Sequence, residues 1–571
     1  MAVLSSLPDV KYRRKPNLKM WRQWSALHTP GGNLVPILTV KRPDKDRHIT
    51  FLSGRSVRDI LDETDLRVRT GCDGAGACGL CRIRVMAGIA GEPSVNELAN
   101  LGAGLLSQKV RLACQVKAER DLQIEILSPA PQSVWRSLEQ GWVKTCIPIA
   151  AHAPGPETEH RIGVSVDIGT THISISLMDI HTCCRLTGRR GLNPQSDCGS
   201  DILTRLISAQ TAEQGEKFSH QVIQAIGEGL RDIGSREGID LRRVDRVVLV
   251  GNTAMLSLLS GQNHHLLLQP RYWSESFECL PPETASWGAS WGISPEAAID
   301  VIAPLAGFVG SDLLSGIIAT HLIEDGRGTL LVDFGTNSEV ALWDGNKIWV
   351  TSAAGGPAFE GCGISCGIPA EPGAIYRVYV SDATGELAFD VVADAEPRGL
   401  CGSGMVDLLA CLVRNRTLNN KGQFALSVPE QGFPLRRDGG EIVLTKRDID
   451  IFQRAKAAIG AAVNVLLMKA GMEYRELRRI CIGGVFGQYL NIVNAQKIGL
   501  LPAVHGMLIE TLGNTALSGC ETLLLLPGAK ELMQEVRRHT VFINLATVAE
   551  FETFFLENLY LKPAAENIGH G

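Results

Sequence analysis

The sequence predicts a small α+β domain followed by a larger α/β body built from two similar lobes. Three observations carry this reading. Four cysteines, Cys72, Cys78, Cys81 and Cys114, stand in a β-rich N-terminal stretch at a spacing suited to metal ligation. A proline-rich stretch follows them. Then a strand running into Asp-x-Gly-Thr occurs twice, at Val166–Thr171 and again at Val332–Asn337, so a duplicated lobe is expected.

Length and composition agree. At 571 residues the chain is long enough for three or four domains, and 45% hydrophobic against 20% charged residues supplies ample core. The 56 Lys and Arg nearly balance the 61 Asp and Glu, which argues against nucleic acid as the main partner. Fifteen cysteines, an odd number irregularly placed, lack the density of a disulfide scaffold and read as reduced thiols, some of them metal ligands. No apolar run reaches the roughly 18 residues of a membrane-spanning helix, and the start has no basic region ahead of an apolar one, so no secretory signal is read. A cytoplasmic protein without a membrane partner is expected.

Residues 1–34 form a basic extension, with Lys11, Arg13, Arg14, Lys15, Lys19 and Arg22, for which a solvated terminus is expected. From 35 to 127, short β-rich runs (ILTV, HITFL, CRIRVMAG, LQIEIL) alternate with one short helical segment, SVRDILDET. Residues 128–160 carry Pro129, Pro131, Pro148, Pro154 and Pro156, the composition of a semi-rigid linker, with a short helix expected around Trp135. Lobe one is placed at 161–325 and lobe two at 326–571. Each carries a second buried strand that runs into glycine and a helix: RVVLVGNTAMLSLL in the first, RICIGGVFGQYL in the second. Gly310 to Ala319 and the alanine-rich Arg454 to Leu467 are expected to cross between the lobes.

The strongest local chemistry is Cys72-x5-Cys78-x2-Cys81 with a distant Cys114. Four thiolates satisfy an iron–sulfur cluster. The small residues of Cys-Asp-Gly-Ala-Gly-Ala-Cys-Gly-Leu-Cys let backbone N–H groups approach its sulfurs. The segment resembles a [2Fe–2S] ferredoxin domain, which implies a β-grasp fold, and the x5 gap with Arg111-Leu-Ala-Cys-Gln is similar to the adrenodoxin type. A zinc-stapled domain is the plainer alternative. Cys362, Cys366 and Cys401 lie in glycine-rich loops, where cleft turns are expected rather than a second redox centre.

An Asp at a strand end can hold Mg²⁺, and the Gly-Thr turn after it offers N–H groups and hydroxyls to phosphate. Asp167 with Gly169, Thr170 and Thr171, and Asp333 with Gly335, Thr336 and Asn337, are the candidate pair. Followed by Gly483, Gly484 and Gly487 of GGVFG, they resemble the two phosphate motifs and the adenosine motif of the acetate and sugar kinase, Hsp70 and actin superfamily. That resemblance implies a cleft for Mg·ATP between the lobes, with Gly355 and Gly356 giving further close backbone approach. No Walker A motif, and no nucleotide-binding GxGxxG, follows a strand.

The fusion narrows the reaction. Ferredoxin, linker and duplicated ATPase, with AGFVGSD, AGGPAFEG, ISCG and LCGSGMVDLLA, resemble the reductive activators of corrinoid proteins. The resemblance implies one-electron reduction of cob(II)alamin to cob(I)alamin on a corrinoid partner protein of a methyltransferase system. The electron would come from the cluster, which an upstream donor recharges, and ATP would drive the transfer. Plant-type clusters lie near −400 mV and cobalt(I) formation lies lower, so a deficit of about 100 mV needs roughly 2.3 kcal/mol. Corrinoid contact is expected at glycine-rich loops of lobe two, with Ser352 or Ser365 near cobalt. The competing reading is a small-molecule kinase with a regulatory redox domain, in which Asp312 of GFVGSD serves as the base.

Overall fold

The computed structural model describes residues 36–564 apart from 43–44, 63, 65, 69–75, 77–78, 80, 130–134, 139–160, 199–201, 276–277, 336, 362, 382–385, 437–441 and 505. Cys72, Cys78, Thr336 and Cys362 therefore lie outside the described residues, as does the basic extension.

The N-terminal domain is a mixed five-stranded sheet. Its strands are β1 (Ile37–Lys41), β2 (Arg47–Thr50), β3 (Arg82–Ala87), β4 (Val110–Leu112) and β5 (Leu122–Ile126), in the order β2-β1-β5-β3-β4. β1 runs parallel to β5 and the other pairs are antiparallel. The expected short helix is α1 (Val57–Asp62), and a second one that the sequence reading lacked is α2 (Val95–Ser107). Its signal is a capping box: Ser94 accepts from the Glu97 backbone while Glu97 reaches back to the Ser94 N–H. Glu97 is fully buried. It also takes the Arg111 guanidinium at 2.8 Å and the Leu112 N–H at 2.9 Å, which fixes the strand leading to Cys114.

Where a linker helix was expected, Trp135 is buried in the core of lobe one and Arg136–Ser137 form strand β6. Proline at 129 and 131 opposes helix here, and an edge strand of the neighbouring sheet stands open for pairing. Lobe one contains β7 (Ile162–Ile168), β8 (His172–Asp179), β9 (Cys184–Leu192), α3 (Ala212–Glu237), β10 (Val244–Gly251) and β11 (Ala298–Val301). The sheet order is β11-β10-β7-β8-β9-β6. After α4 (Ser311–Ala319), lobe two repeats the plan with β12 (Thr329–Phe334), β13 (Ser338–Trp343), β14 (Ile348–Ala353), α5 (Lys446–Ala470), β15 (Arg479–Gly483), β16 (Leu508–Gly513), α6 (Thr515–Leu525), β17 (Thr540–Phe542) and α7 (Phe551–Asn558). Its order is β16-β15-β12-β13-β14-β17. In both lobes a parallel pair flanks an antiparallel hairpin that starts at the Asp-x-Gly-Thr turn.

The crossing between lobes is made by α4 with α6 rather than with the alanine-rich α5. α6 lies on β7 and β10 of lobe one, and Val248, Val250, Leu313, Ile317, Leu331, Cys520 and Leu523 share one core across both lobes. Small residues permit the approach: a Cβ on Gly519 would stand 1.9 Å from the Ser315 carbonyl oxygen. The small residues of α5 serve lobe two instead, where Gly460 admits Asn558 of α7 and Ala455 admits Gly355. α5 is the one described helix long and apolar enough to cross a membrane, and 83% of its most apolar window is buried inside the protein.

Gly519→Ala forces a methyl against backbone that cannot rotate away, and overpacking of this kind costs about 1–3 kcal/mol. The expected result is a lower denaturation midpoint by tryptophan fluorescence and weaker nucleotide binding, with the visible spectrum of the N-terminal domain unchanged.

Candidate functional site

The two turns close alike. The Gly169 N–H donates to the His172 carbonyl and the Gly335 N–H to the Asn337 carbonyl, both at 3.0 Å. A Cβ on Gly169 would lie 2.7 Å from that carbonyl oxygen, so the tight turn requires glycine. Asp167 and Asp333 stand one residue before the ends of β7 and β12, and the same helix end serves both. Asn514, the N-cap of α6, accepts from the Leu517 N–H through Oδ1 at 2.8 Å. Its Nδ2 donates to Asp167 Oδ2 at 2.8 Å and to Ser174 Oγ at 3.4 Å. Thr515 Oγ1 donates to Asp333 Oδ2 at 2.8 Å. The positive end of the α6 dipole favours carboxylates there.

Asp312 opens α4 and joins this group. Glu339 stands opposite Asp333 across the β12–β13 pair and takes a 3.2 Å hydrogen bond from Ser352. Burial is the main cause pushing these carboxyls up: Asp167 and Asp333 each to about 6, Asp312 to about 7, and Glu339 well above the ordinary range. The bond from Asn514 opposes the rise at Asp167 and that from Thr515 opposes it at Asp333, while mutual repulsion adds to it at Asp167, Asp312 and Glu339. Among the described residues no three His, Cys, Asp or Glu side chains converge closely enough to hold a metal ion alone. The Asp167 and Asp333 pair suits Mg²⁺, which takes one or two carboxylates and completes its shell with water and phosphate.

The other predicted residues fall around this centre. Thr170 is buried with its carbonyl bonded to Arg205 Nη1 at 2.6 Å, and Thr171 Oγ1 reaches Glu360 of lobe two at 3.3 Å. A Cβ on Gly483 would meet Thr515 Oγ1 at 2.8 Å and the Asp333 carboxylate at 2.9 Å. Gly484, at φ 85°, passes over the Phe334 carbonyl. Gly487 packs on Ile482, Gly355 on the Ala455 carbonyl, and Gly356 begins a short helix to Phe359. Phe334, Phe359 and Phe486 lock these loops together, with ring centroids 4.9–5.7 Å apart. Ser352 bonds to Glu339 in the cleft, whereas Ser365 bonds to Asp448 at the start of α5.

Asn514, Thr515, Glu339, Glu360 and the three phenylalanines are site residues beyond those expected from the sequence. One signal was present: Gly-Asn-Thr-Ala occurs at 251–254 and again at 513–516, and in both copies the Asn caps a helix after a strand.

In the N-terminal domain, Cys81 Sγ lies 3.4 Å from Cys114 Sγ, and Gln115 Nε2 donates to Cys114 at 3.6 Å. The contact with Cys81, then Gln115, the Arg58 charge and the Gly76 backbone hold the Cys114 thiol down to about 6 against burial. Gly76 and Gly79 take φ of 80° and 67°, and a Cβ on Gly76 would strike Gln115 at 2.7 Å. Two sulfurs brought together, a side-chain donor aimed at one of them, and glycines at positive φ beside them fit an iron–sulfur cluster.

Fold and sites define a class: a two-lobed actin- and Hsp70-type ATPase fused to a [2Fe–2S] ferredoxin. Comparison with known proteins makes it particular. The family described as a 2Fe-2S iron-sulfur cluster binding domain matches residues 41–119, the RACo middle region matches 162–325, and the C-terminal ASKHA domain of RACo matches 327–568. The corrinoid activation enzyme RamQ of Eubacterium limosum is 30% identical over 71% of this chain and 72% of its own. The [Co(II) methylated amine-specific corrinoid protein] reductase of Methanosarcina barkeri is 27% identical over 69% of this chain and 76% of its own. The solved structure of a reductive activator for corrinoid, iron-sulfur protein superposes with TM-score 0.63 at 25% identity, over 92% of this chain and 98% of that one. The chain belongs to the reductive activators of corrinoid proteins. Its cofactors are a [2Fe–2S] cluster and Mg·ATP.

The raised carboxyls set a pH dependence. Below about 6 to 7 they are neutral, and a cation binds the anionic form, so metal binding releases protons and tightens as pH rises. Without metal the sign for stability is opposite: because the folded-state values lie above the ordinary 3.8, the stability these neutral carboxyls contribute is lost as pH rises from about 4 to about 7. Calorimetry of Mg²⁺-nucleotide binding in buffers of different ionisation enthalpy should show proton release near pH 6.5 and little at pH 8.5. Asp312→Asn should reduce that release.

Proposed function

We propose that the chain uses ATP to return the cobalt of a partner corrinoid protein from Co(II) to Co(I). The observation that carries this is the presence in one chain of a cluster-binding ferredoxin and a two-aspartate nucleotide cleft. A ferredoxin passing electrons downhill needs no ATP and a kinase needs no cluster, so an uphill transfer is the reaction that uses both. The bound cluster supplies single electrons, which an upstream donor replaces.

In this reading Cys72, Cys78, Cys81 and Cys114 hold the cluster within residues 35–127. Residues 161–325 and 326–571 are the ATPase lobes. Asp167 and Asp333 hold Mg²⁺ directly or through water, and Gly169, Thr170, Thr171, Gly335, Thr336 and Asn337 receive the phosphates. Gly355, Gly356, Gly483, Gly484 and Gly487 leave room for the rest of the nucleotide. Asp312 orients or deprotonates the attacking water, for which a carboxyl poised at about 7 is suited. Asn514 and Thr515 then feel the charge on both aspartates and pass it into α6, which touches both lobes. A cytoplasmic setting agrees with Cys183, Cys184, Cys279, Cys366, Cys401, Cys411, Cys481 and Cys520, none of which is in a disulfide.

The test mixes reduced protein with a cob(II)alamin-loaded corrinoid protein and follows Co(I) absorbance. Co(I) should form with Mg·ATP and at least about tenfold more slowly without it, since a 1.4 kcal/mol drive is already worth that factor. Asp333→Asn should abolish the ATP effect and Cys81→Ser should abolish reduction. Equal rates with and without nucleotide, or phosphorylation of a small molecule in place of Co(I) formation, would refute the proposal.

A further inference from the structure

The ferredoxin domain meets lobe one through charge. Arg58 and Asp62 of α1, with Arg67 just beyond it, face Arg189 on β9 and Asp232, Arg236 and Glu237 in the last turns of α3. Asp232 is shared: it takes Arg67 of the ferredoxin at 2.5 Å and Arg189 of its own lobe at 2.5 Å. Arg189 also holds Glu237 at 2.7 Å, Glu237 lies 3.9 Å from Arg58, Arg58 pairs with Asp62 at 3.3 Å, and Asp62 pairs with Arg236. All seven side chains are buried. The hydrophobic cores of the two units stay separate, one confined to residues 38–127 and the other starting at Trp135.

Buried ion pairs are a weak source of net stability, because desolvation offsets most of the attraction, but they demand one geometry and collapse when a partner is removed. A domain contact built on them and on the 2.6 Å bond from the Thr50 hydroxyl to the Ala393 carbonyl of lobe two, without a shared apolar core, is specific and separable. The tether agrees with separation on a short leash, since β6 fixes Ser137 to Arg189 and Arg136 to Arg190 on β9. Only residues 127–134 connect the ferredoxin sheet to that anchor.

Strand β9 also touches the nucleotide site. Neighbouring residues of a strand point to opposite faces. Arg189 enters the charged contact, while Arg190 bonds to His172 of the first phosphate turn at 2.9 Å and its charge acts on Asp167. At the other edge of the contact, the Arg58 N–H donates to the Ala113 carbonyl, next to Cys114. The charged contact thus spans from the cluster loop to the strand behind the phosphate turn.

We propose that Arg189, Asp232, Arg236 and Glu237 form a releasable dock for the chain's own ferredoxin domain, and that nucleotide binding loosens it through β9. A triphosphate at the first turn competes for Arg190 and draws β9 toward the cleft, and Arg189 moves with it, away from the ferredoxin face. The inference rests on the cleft being the nucleotide site.

The experiment is hydrogen exchange on the full-length, cluster-loaded protein, read in residues 57–62 and 232–237. Arg67→Gln removes one partner of Asp232 outside both the cluster ligands and the cleft. It should speed exchange in both segments by about tenfold or more while the cluster's visible spectrum stays unchanged, and Arg67→Lys should restore most of the protection. A saturating, non-hydrolysable Mg·ATP analogue should speed exchange at the same segments in the wild type and add little in Arg67→Gln. Wild-type exchange in Arg67→Gln would overturn the dock. An unchanged wild-type dock, with binding verified by a fluorescent nucleotide, would overturn the coupling. Failure of the fluorescent nucleotide to bind would overturn the cleft assignment and the coupling with it, while the Arg67 comparison would still decide the dock.

Discussion

Asn514 and Thr515 place two neighbouring side chains on two aspartates from different lobes, and much of the molecule is arranged around that junction. Asp167 and Asp333 stand one residue before the ends of strands in separate sheets, so neither sheet alone fixes the distance between them. The N-terminus of α6 does, because Asn514 bonds to one carboxylate and Thr515 to the other. The absence of a side chain at Gly483 and Gly519 follows from it. Any Cβ on Gly483 would crowd Thr515 and Asp333, and any on Gly519 would push α6 off α4.

The junction has an electrostatic cost that gives it a use. Burial raises the proton affinity of four carboxyls in one space, and repulsion adds to it at Asp167, Asp312 and Glu339. A divalent cation with its nucleotide relieves that strain, so binding free energy is directed at the point where the lobes meet. From there two routes leave the cleft. α6 runs into the core shared by both lobes, and β9 runs to the charged contact with the ferredoxin. An electron that must be driven uphill by about 100 mV needs roughly 2.3 kcal/mol, a modest part of what binding and hydrolysis at such a site can deliver.

Much of this was legible in the sequence because its signals are local. The cysteine spacing, the repeated Asp-x-Gly-Thr and the glycine strings each report chemistry within a few residues. The misplaced elements depend on partners far along the chain. Ala455 and Gly460 read as a crossing helix because small residues mark close approach, yet their neighbours are Gly355 and Asn558 within lobe two. Trp135 read as linker because prolines surround it, while the core of lobe one and the free edge of β9 decide its conformation. Glu339 looks like an ordinary strand residue until the β12–β13 register sets it opposite Asp333. Asp232 and Arg67 stand 165 residues apart, and no local motif marks them as partners.

The most direct test of the central claim is simultaneous measurement of phosphate release and Co(I) formation in wild type and Asn514→Ala, with the cluster spectrum as the folding control. If one helix end joins the nucleotide to the lobes and so to electron transfer, both rates fall together and by the same factor while the spectrum stays intact. Co(I) formation at the wild-type rate alongside slowed phosphate release would contradict the account.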